Sequence, residues 1–82
     1  MNKRDFSGKD IIKVLVNKGN FRIERISGDH YILKWEHPTE DEKRTFVVPN
    51  HKKIRIGTLS SIAEQAGAKN FDRFCKWIDL NR

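Results

Sequence analysis

The chain has a single cysteine, Cys75, so it can form no internal disulfide. A lone thiol fits a reducing cytosol, and the apolar helical pattern around it reads as core rather than as the setting of a nucleophile. Apolar runs are short. None approaches the ~20 residues of a membrane-spanning helix, and the first residues lack the apolar stretch of a signal peptide. Only two prolines and five glycines interrupt 82 residues. With no repeat, low-complexity tract or internal linker, the expectation is one domain over residues 1–82. A chain of this size buries only about 60% of its unfolded surface, so its core is modest. Acidic residues are the minority charge, with 11 Asp and Glu against 17 Lys and Arg and a formal net charge of +6. That excess favours a polyanionic partner: nucleic acid, an anionic membrane surface or an acidic protein.

What is present reads as helix, three strands, helix, helix. Residues 1–6 are expected to be a frayed start. Ser7 is a good helix N-cap with Asp10 three residues on, and Ile11, Ile12, Leu15 and Val16 form one apolar stripe that ends at Gly19. Lys9, Lys13 and Lys18 lie off the stripe, as a solvated face or as RNA contacts. Strand-like runs follow at Phe21–Ile26, Tyr31–Trp35 and Arg44–Val48. Between the first two, Ser27-Gly28-Asp29 precedes His30, and glycine and aspartate tolerate the left-handed backbone of a hairpin turn. A three-residue loop pairs Ile23 with Leu33 and Phe21 with Trp35, whereas a two-residue loop pairs Ile23 with Lys34. The apolar pairing predicts the longer loop, with a bulge at the glycine. His37–Lys43 reads as a polar hairpin loop, and His37 as a surface histidine. After Pro49 comes the basic loop Asn50–Gly57. Thr58 is expected to cap a second helix with Leu59, Ile62, Ala63 and Ala66 on its apolar face and a stop at Gly67. A third helix from about Asn70 carries Phe71, Phe74, Cys75 and Ile78.

This order has a geometric consequence. In an antiparallel meander the end of the third strand returns to the side of the first turn. His30, His51, Lys52, Lys53 and Arg55 should therefore cluster at one rim, together with the start of the second helix, and helix N-termini attract phosphate. Alternation along the second strand puts Tyr31, Leu33 and Trp35 toward the core, and His30 with Ile32 and Lys34 on the open face. Histidine can move a proton near neutral pH. A histidine, several cations and a helix N-terminus on one rim point to a phosphate site, with Lys34, His51, Lys52, Lys53, Arg55 and Thr58 as its candidate contacts. Three histidines without nearby carboxylate spacing form no recognisable metal-ligand set, and there is no Gly-rich phosphate loop and no Ser/His/Asp set. Trp35 and Trp77 fit core packing better than base stacking.

Two stretches resemble a known family. Arg25-Ile26-Ser27-Gly28-Asp29-His30 is similar to the R-x-x-G-S-H turn of the HicA toxins, small mRNA interferases of prokaryotic toxin–antitoxin pairs. Val48-Pro49-Asn50-His51, followed by Ile56-Gly57-Thr58-Leu59, Ile62 and Gln65-Ala66-Gly67, resembles that family's V-P-x-H … G-T-L-x-x-I-x-x-Q-A-G. The likeness covers about residues 7–67, with residues 70–82 as a C-terminal helical extension. It implies an α+β fold like that of double-stranded-RNA-binding domains, α-β-β-β-α, with a three-stranded antiparallel sheet and helices on one face. It also implies an endoribonuclease that cleaves mRNA without a metal or other cofactor, with His30 catalytic, and a HicB-type antitoxin that covers the site. Asp29 departs from the pattern, since the family usually has serine there. A carboxylate at that place bears on both the histidine and the RNA. Backbone cleavage by the 2′-OH needs two proton transfers, and His51 is a candidate for the second; its other reading is a phosphate contact or loop hydrogen bond. The overall expectation is a monomeric cytoplasmic protein.

Overall fold

A computed structural model describes residues 5–82. The elements run α1 (Gly8–Lys18), β1 (Arg22–Ser27), β2 (His30–Glu36), β3 (Lys43–Pro49), α2 (Ile56–Gln65) and α3 (Phe71–Asn81). The architecture is α+β, an open antiparallel sheet in the order β1-β2-β3 with three helices. No helix among the described residues is long and apolar enough to cross a membrane.

Helix α1 starts as its sequence dictates. The Ser7 hydroxyl accepts the Asp10 N–H and the Asp10 carboxylate accepts the Ser7 N–H, a capping box. The chain before it is not frayed at Phe6, which is fully buried. Phe6 stands just ahead of the cap, and Ile11, at the partner position of a hydrophobic staple, is also fully buried. Of the rest of the expected frayed start, Asp5 is exposed and residues 1–4 lie outside the described residues. At the other end of α1, Gly19 is the C-cap, while Asn20 takes the left-handed backbone with φ 61°.

The β1–β2 hairpin differs from the expected loop. Ser27 pairs with His30, so the turn is the two residues Gly28 and Asp29, and Ile23 nevertheless pairs with Leu33. The surplus residue is absorbed inside β1, where the register shifts between Ile23 and Arg25. Gly28 has φ 60° and Asp29 a negative φ. That is the pattern of a II′ turn, whose twist matches the flanking strands. With the turn closed this tightly, only a bulge in the strand keeps the isoleucine opposite Leu33. Ile23 is still 41% exposed because β1 is an edge strand, whereas Phe21, just outside the ladder, is buried edge-to-face on Phe46 at 5.3 Å.

Leu33, Phe46 and Val48 are buried on the sheet face that the helices cover, with Tyr31 and Trp35 packed partly against the same core. Helix α1 supplies Ile11, Ile12, Val14 and Leu15, α2 supplies Leu59, Ile62 and Ala63, and α3 supplies Phe74, Cys75 and Ile78. Trp77 packs partly against this core beside Phe74. Helix α2 begins three residues earlier than expected. Its N-cap is Arg55, with no side-chain cap, so Thr58 sits within the first turn instead of capping it. Gly67 just beyond α2 has φ 90°, as a helix stop requires. Asn70 caps α3 by accepting the Arg73 N–H at 3.0 Å.

Candidate functional site

The rim at the β1–β2 turn forms because the meander brings two loops together. His30 opens β2 and pairs with Ser27 on one side and Pro49 on the other. The Asn50 N–H donates to the Asp29 carbonyl at 2.7 Å, which ties the loop after β3 to the turn. That loop is held from a third direction as well. The Gly8 N–H donates to the His51 carbonyl at 2.8 Å, and the Ile54 N–H to the Phe6 carbonyl at 2.8 Å. The start of α1 is thus part of the scaffold that positions His51. Gly8 is suited to that contact, since a Cβ there would run into the Pro49 carbonyl and come within 2.8 Å of the Asn50 Cα.

The His30 side chain is 58% exposed and that of His51 is 55% exposed. Both rings approach the Asp29 carboxylate: His51 Nε2 lies 3.1 Å from Oδ2, and His30 Nδ1 lies 3.7 Å from Oδ1. His51 also lines a cleft of about 270 Å³ with Pro49, Lys53, Ile54, Arg55 and Thr58. A Cβ built on Gly57 would meet nothing within 4 Å, so space lies open at the first turn of α2. The free N–H groups of that turn can approach an anion there.

The cations differ in how committed they are. Lys53 is paired with Asp5 at 3.1 Å, both well exposed. Lys52 and Arg55 are exposed and make no ion pair among the described residues. Lys34 stands apart from this group. It lies on the open face of the sheet, and its ammonium sits between Glu24 at 3.8 Å and Glu36 at 3.4 Å. Arg22 joins the same cluster with a 2.8 Å contact to Glu36. The hydrogen bond from Arg22, and after it that from Lys34, hold the Glu36 carboxyl below its usual 4.5. His37 serves the fold rather than the rim. Its Nδ1 accepts the Thr39 and Glu40 N–H groups at 3.1 and 3.0 Å, closing the β2–β3 loop.

The feature least visible in the sequence is Asp29 as the group shared by two histidines. Position 29 reads as a turn residue, and His51 lies 22 positions further along the chain. The pairing of His30 with Pro49 and the Asn50 N–H on the Asp29 carbonyl bring the two loops together. A larger cleft of about 410 Å³ lies between the end of α1 and α3, lined by Leu15, Phe21, Phe74 and Trp77 among others. It contains none of the predicted site residues. Among the described residues no group of three or more His, Cys, Asp or Glu side chains is arranged to hold a metal ion.

Compared with known proteins, residues 8–68 match the family model described as HicA toxin of bacterial toxin-antitoxin. No curated protein and no solved structure gives a significant match. The family match spans α1 through the turn after α2 and takes in the whole rim.

Proposed function

The chain belongs to the HicA toxin family of bacterial toxin–antitoxin systems, and we propose on that ground that it is an endoribonuclease that cleaves mRNA, with His30 as general acid or base. A toxin of such a pair has an antitoxin partner and an RNA target in general terms. The finer reading is that a HicB-type antitoxin covers the rim and that the chain acts as a monomer in the cytoplasm, without a metal or other cofactor.

One observation carries the reading. The His30 imidazole is exposed on the same rim as His51, Lys52, Lys53, Arg55 and the open first turn of α2. In the reaction the ribose 2′-oxygen bonds to the adjacent phosphorus and the bond from phosphorus to the 5′-oxygen breaks. The products are a cyclic phosphate and a free 5′-OH. An imidazole positioned for either proton transfer is typically worth 10²–10⁴-fold. Lys52, Lys53 and Arg55, with the helix N–H groups, would bear the charge that builds on the phosphorane oxygens. Thr58 and His51 contribute polar contacts to the same cleft, and Lys34 marks how far RNA could extend over the open sheet face.

The test is incubation of RNA with the protein and with a His30→Ala variant, both in excess chelator. Cleavage by the parent that is lost in the variant supports the nuclease. Retention of RNA without cleavage by either leaves a non-catalytic RNA-binding module of the same fold. No affinity for RNA in either leaves a protein-interaction domain.

A further inference from the structure

The reaction proposed above moves two protons, and one imidazole does not serve both ends of it in a single step. The 2′-oxygen gives up a proton as it bonds to phosphorus. The 5′-oxygen takes one up as it leaves. The structure offers one arrangement that could supply the second group, centred on Asp29.

The Asp29 carboxylate is 3.1 Å from His51 Nε2 and 3.7 Å from His30 Nδ1. An ionised carboxylate only accepts hydrogen bonds, so the short contact fixes a proton on His51 Nε2 and leaves Nδ1 for a substrate. The His51 backbone is held as well, by the Gly8 N–H on its carbonyl and by the tie from Asn50 to the Asp29 carbonyl. Ring and backbone are thus both anchored, although the side chain is over half exposed. The other charged side chains of this rim do not take the carboxylate. Lys53 is paired with Asp5, and Lys52 and Arg55 make no ion pair among the described residues.

We propose that Asp29 is a positioning residue that holds His51 through Nε2, so that His51 Nδ1 carries the second proton of RNA cleavage alongside His30. This rests on the nuclease reading. The step balances without a further reagent. The proton of the 2′-OH passes to one imidazole as the O2′–P bond forms. The P–O5′ bond breaks and its oxygen takes a proton from the other imidazole. The cyclic phosphate and the 5′-OH leave, and exchange with water restores the two rings.

Asp29 departs from the serine usual in the resembling motif, and a carboxylate beside an RNA site would by charge alone repel the substrate. The two accounts give opposite outcomes. The experiment measures RNA cleavage rates for the parent, Asp29→Ala, His51→Ala and the double variant. Alongside, imidazole nitrogen NMR reads which ring nitrogen of His51 carries the proton. His51→Ala should lose about 10²-fold or more. Asp29→Ala should lose about tenfold, the scale of one charge-assisted hydrogen bond. The double variant should be no slower than His51→Ala, because Asp29 acts through that ring. The parent should hold His51 as the Nε2-protonated tautomer, and Asp29→Ala should release it to a mixture. Faster cleavage by Asp29→Ala, additive losses in the double variant, or an unchanged His51 tautomer would each overturn the proposal while leaving His30 its role. A parent that does not cleave RNA removes the nuclease reading itself, and this one with it.

Discussion

Gly8 ties the fold to the candidate site. Its N–H fixes the His51 carbonyl, and a side chain there would meet the Pro49 carbonyl and the Asn50 Cα. Overpacking against backbone typically costs 1–3 kcal/mol, and Gly8→Ala should sit near the upper end, about 2–3 kcal/mol in a denaturant titration. The same substitution should slow RNA cleavage, because it pushes the loop that carries His51. Neither Gly8 nor Phe6 stands out in the sequence. Phe6 is a single apolar residue ahead of a cap, and periodicity needs several turns before it registers. The signal that could have found it was the staple position relative to Ser7 and Ile11. The capping pair Ser7 and Asp10 was legible because that motif is local and its spacing is fixed.

At the scale of elements, the hairpin shows where local rules compete. The pairing of Ile23 with Leu33 was legible from alternation, since a one-residue slip turns every side chain to the other face. The position of the bulge was not, because a bulge at Gly28 and one at Glu24 give the same pairing upstream. The turn closes in two residues, and the irregularity goes to an edge strand, where it also discourages pairing with another chain. The far end of this hairpin is joined by Glu36, with Arg22 and Lys34. Both cations lower the Glu36 pKa in the folded state. The stability this contributes is therefore present above the ordinary value of 4.5 and is lost as pH falls through the lower folded value. Exposed pairs of this kind contribute little. In an NMR titration the Glu36 carboxyl should titrate below 4.5. The small difference in melting temperature between parent and Glu36→Gln should close as pH drops through that range. A carboxyl titrating at or above the ordinary value would contradict the pairing.

For the whole molecule, a net charge of +6 says little until the fold distributes it. Lys34 and Arg22 are spent on Glu24 and Glu36, and Lys53 on Asp5, whereas Lys52 and Arg55 remain uncommitted among the described residues. The meander made the meeting of His30 with the basic loop legible, since strand direction alone returns Pro49 to the turn. Which cations are already paired was not legible, because cross-strand partners depend on register and rotamer. RNA retention should therefore weaken with salt. Lys52→Ala and Arg55→Ala should each reduce the slope of log affinity against log salt by about 0.7, the value for one phosphate contact on a single strand. Lys34→Ala should change that slope less. The decisive measurement is the chemistry of the ends left on RNA after incubation with the protein in excess chelator. The expected result is 2′,3′-cyclic phosphate and 5′-OH ends from the parent and intact RNA from His30→Ala. Ends bearing a 5′-phosphate, or the same cleavage by His30→Ala, would contradict an imidazole-driven attack by the ribose hydroxyl.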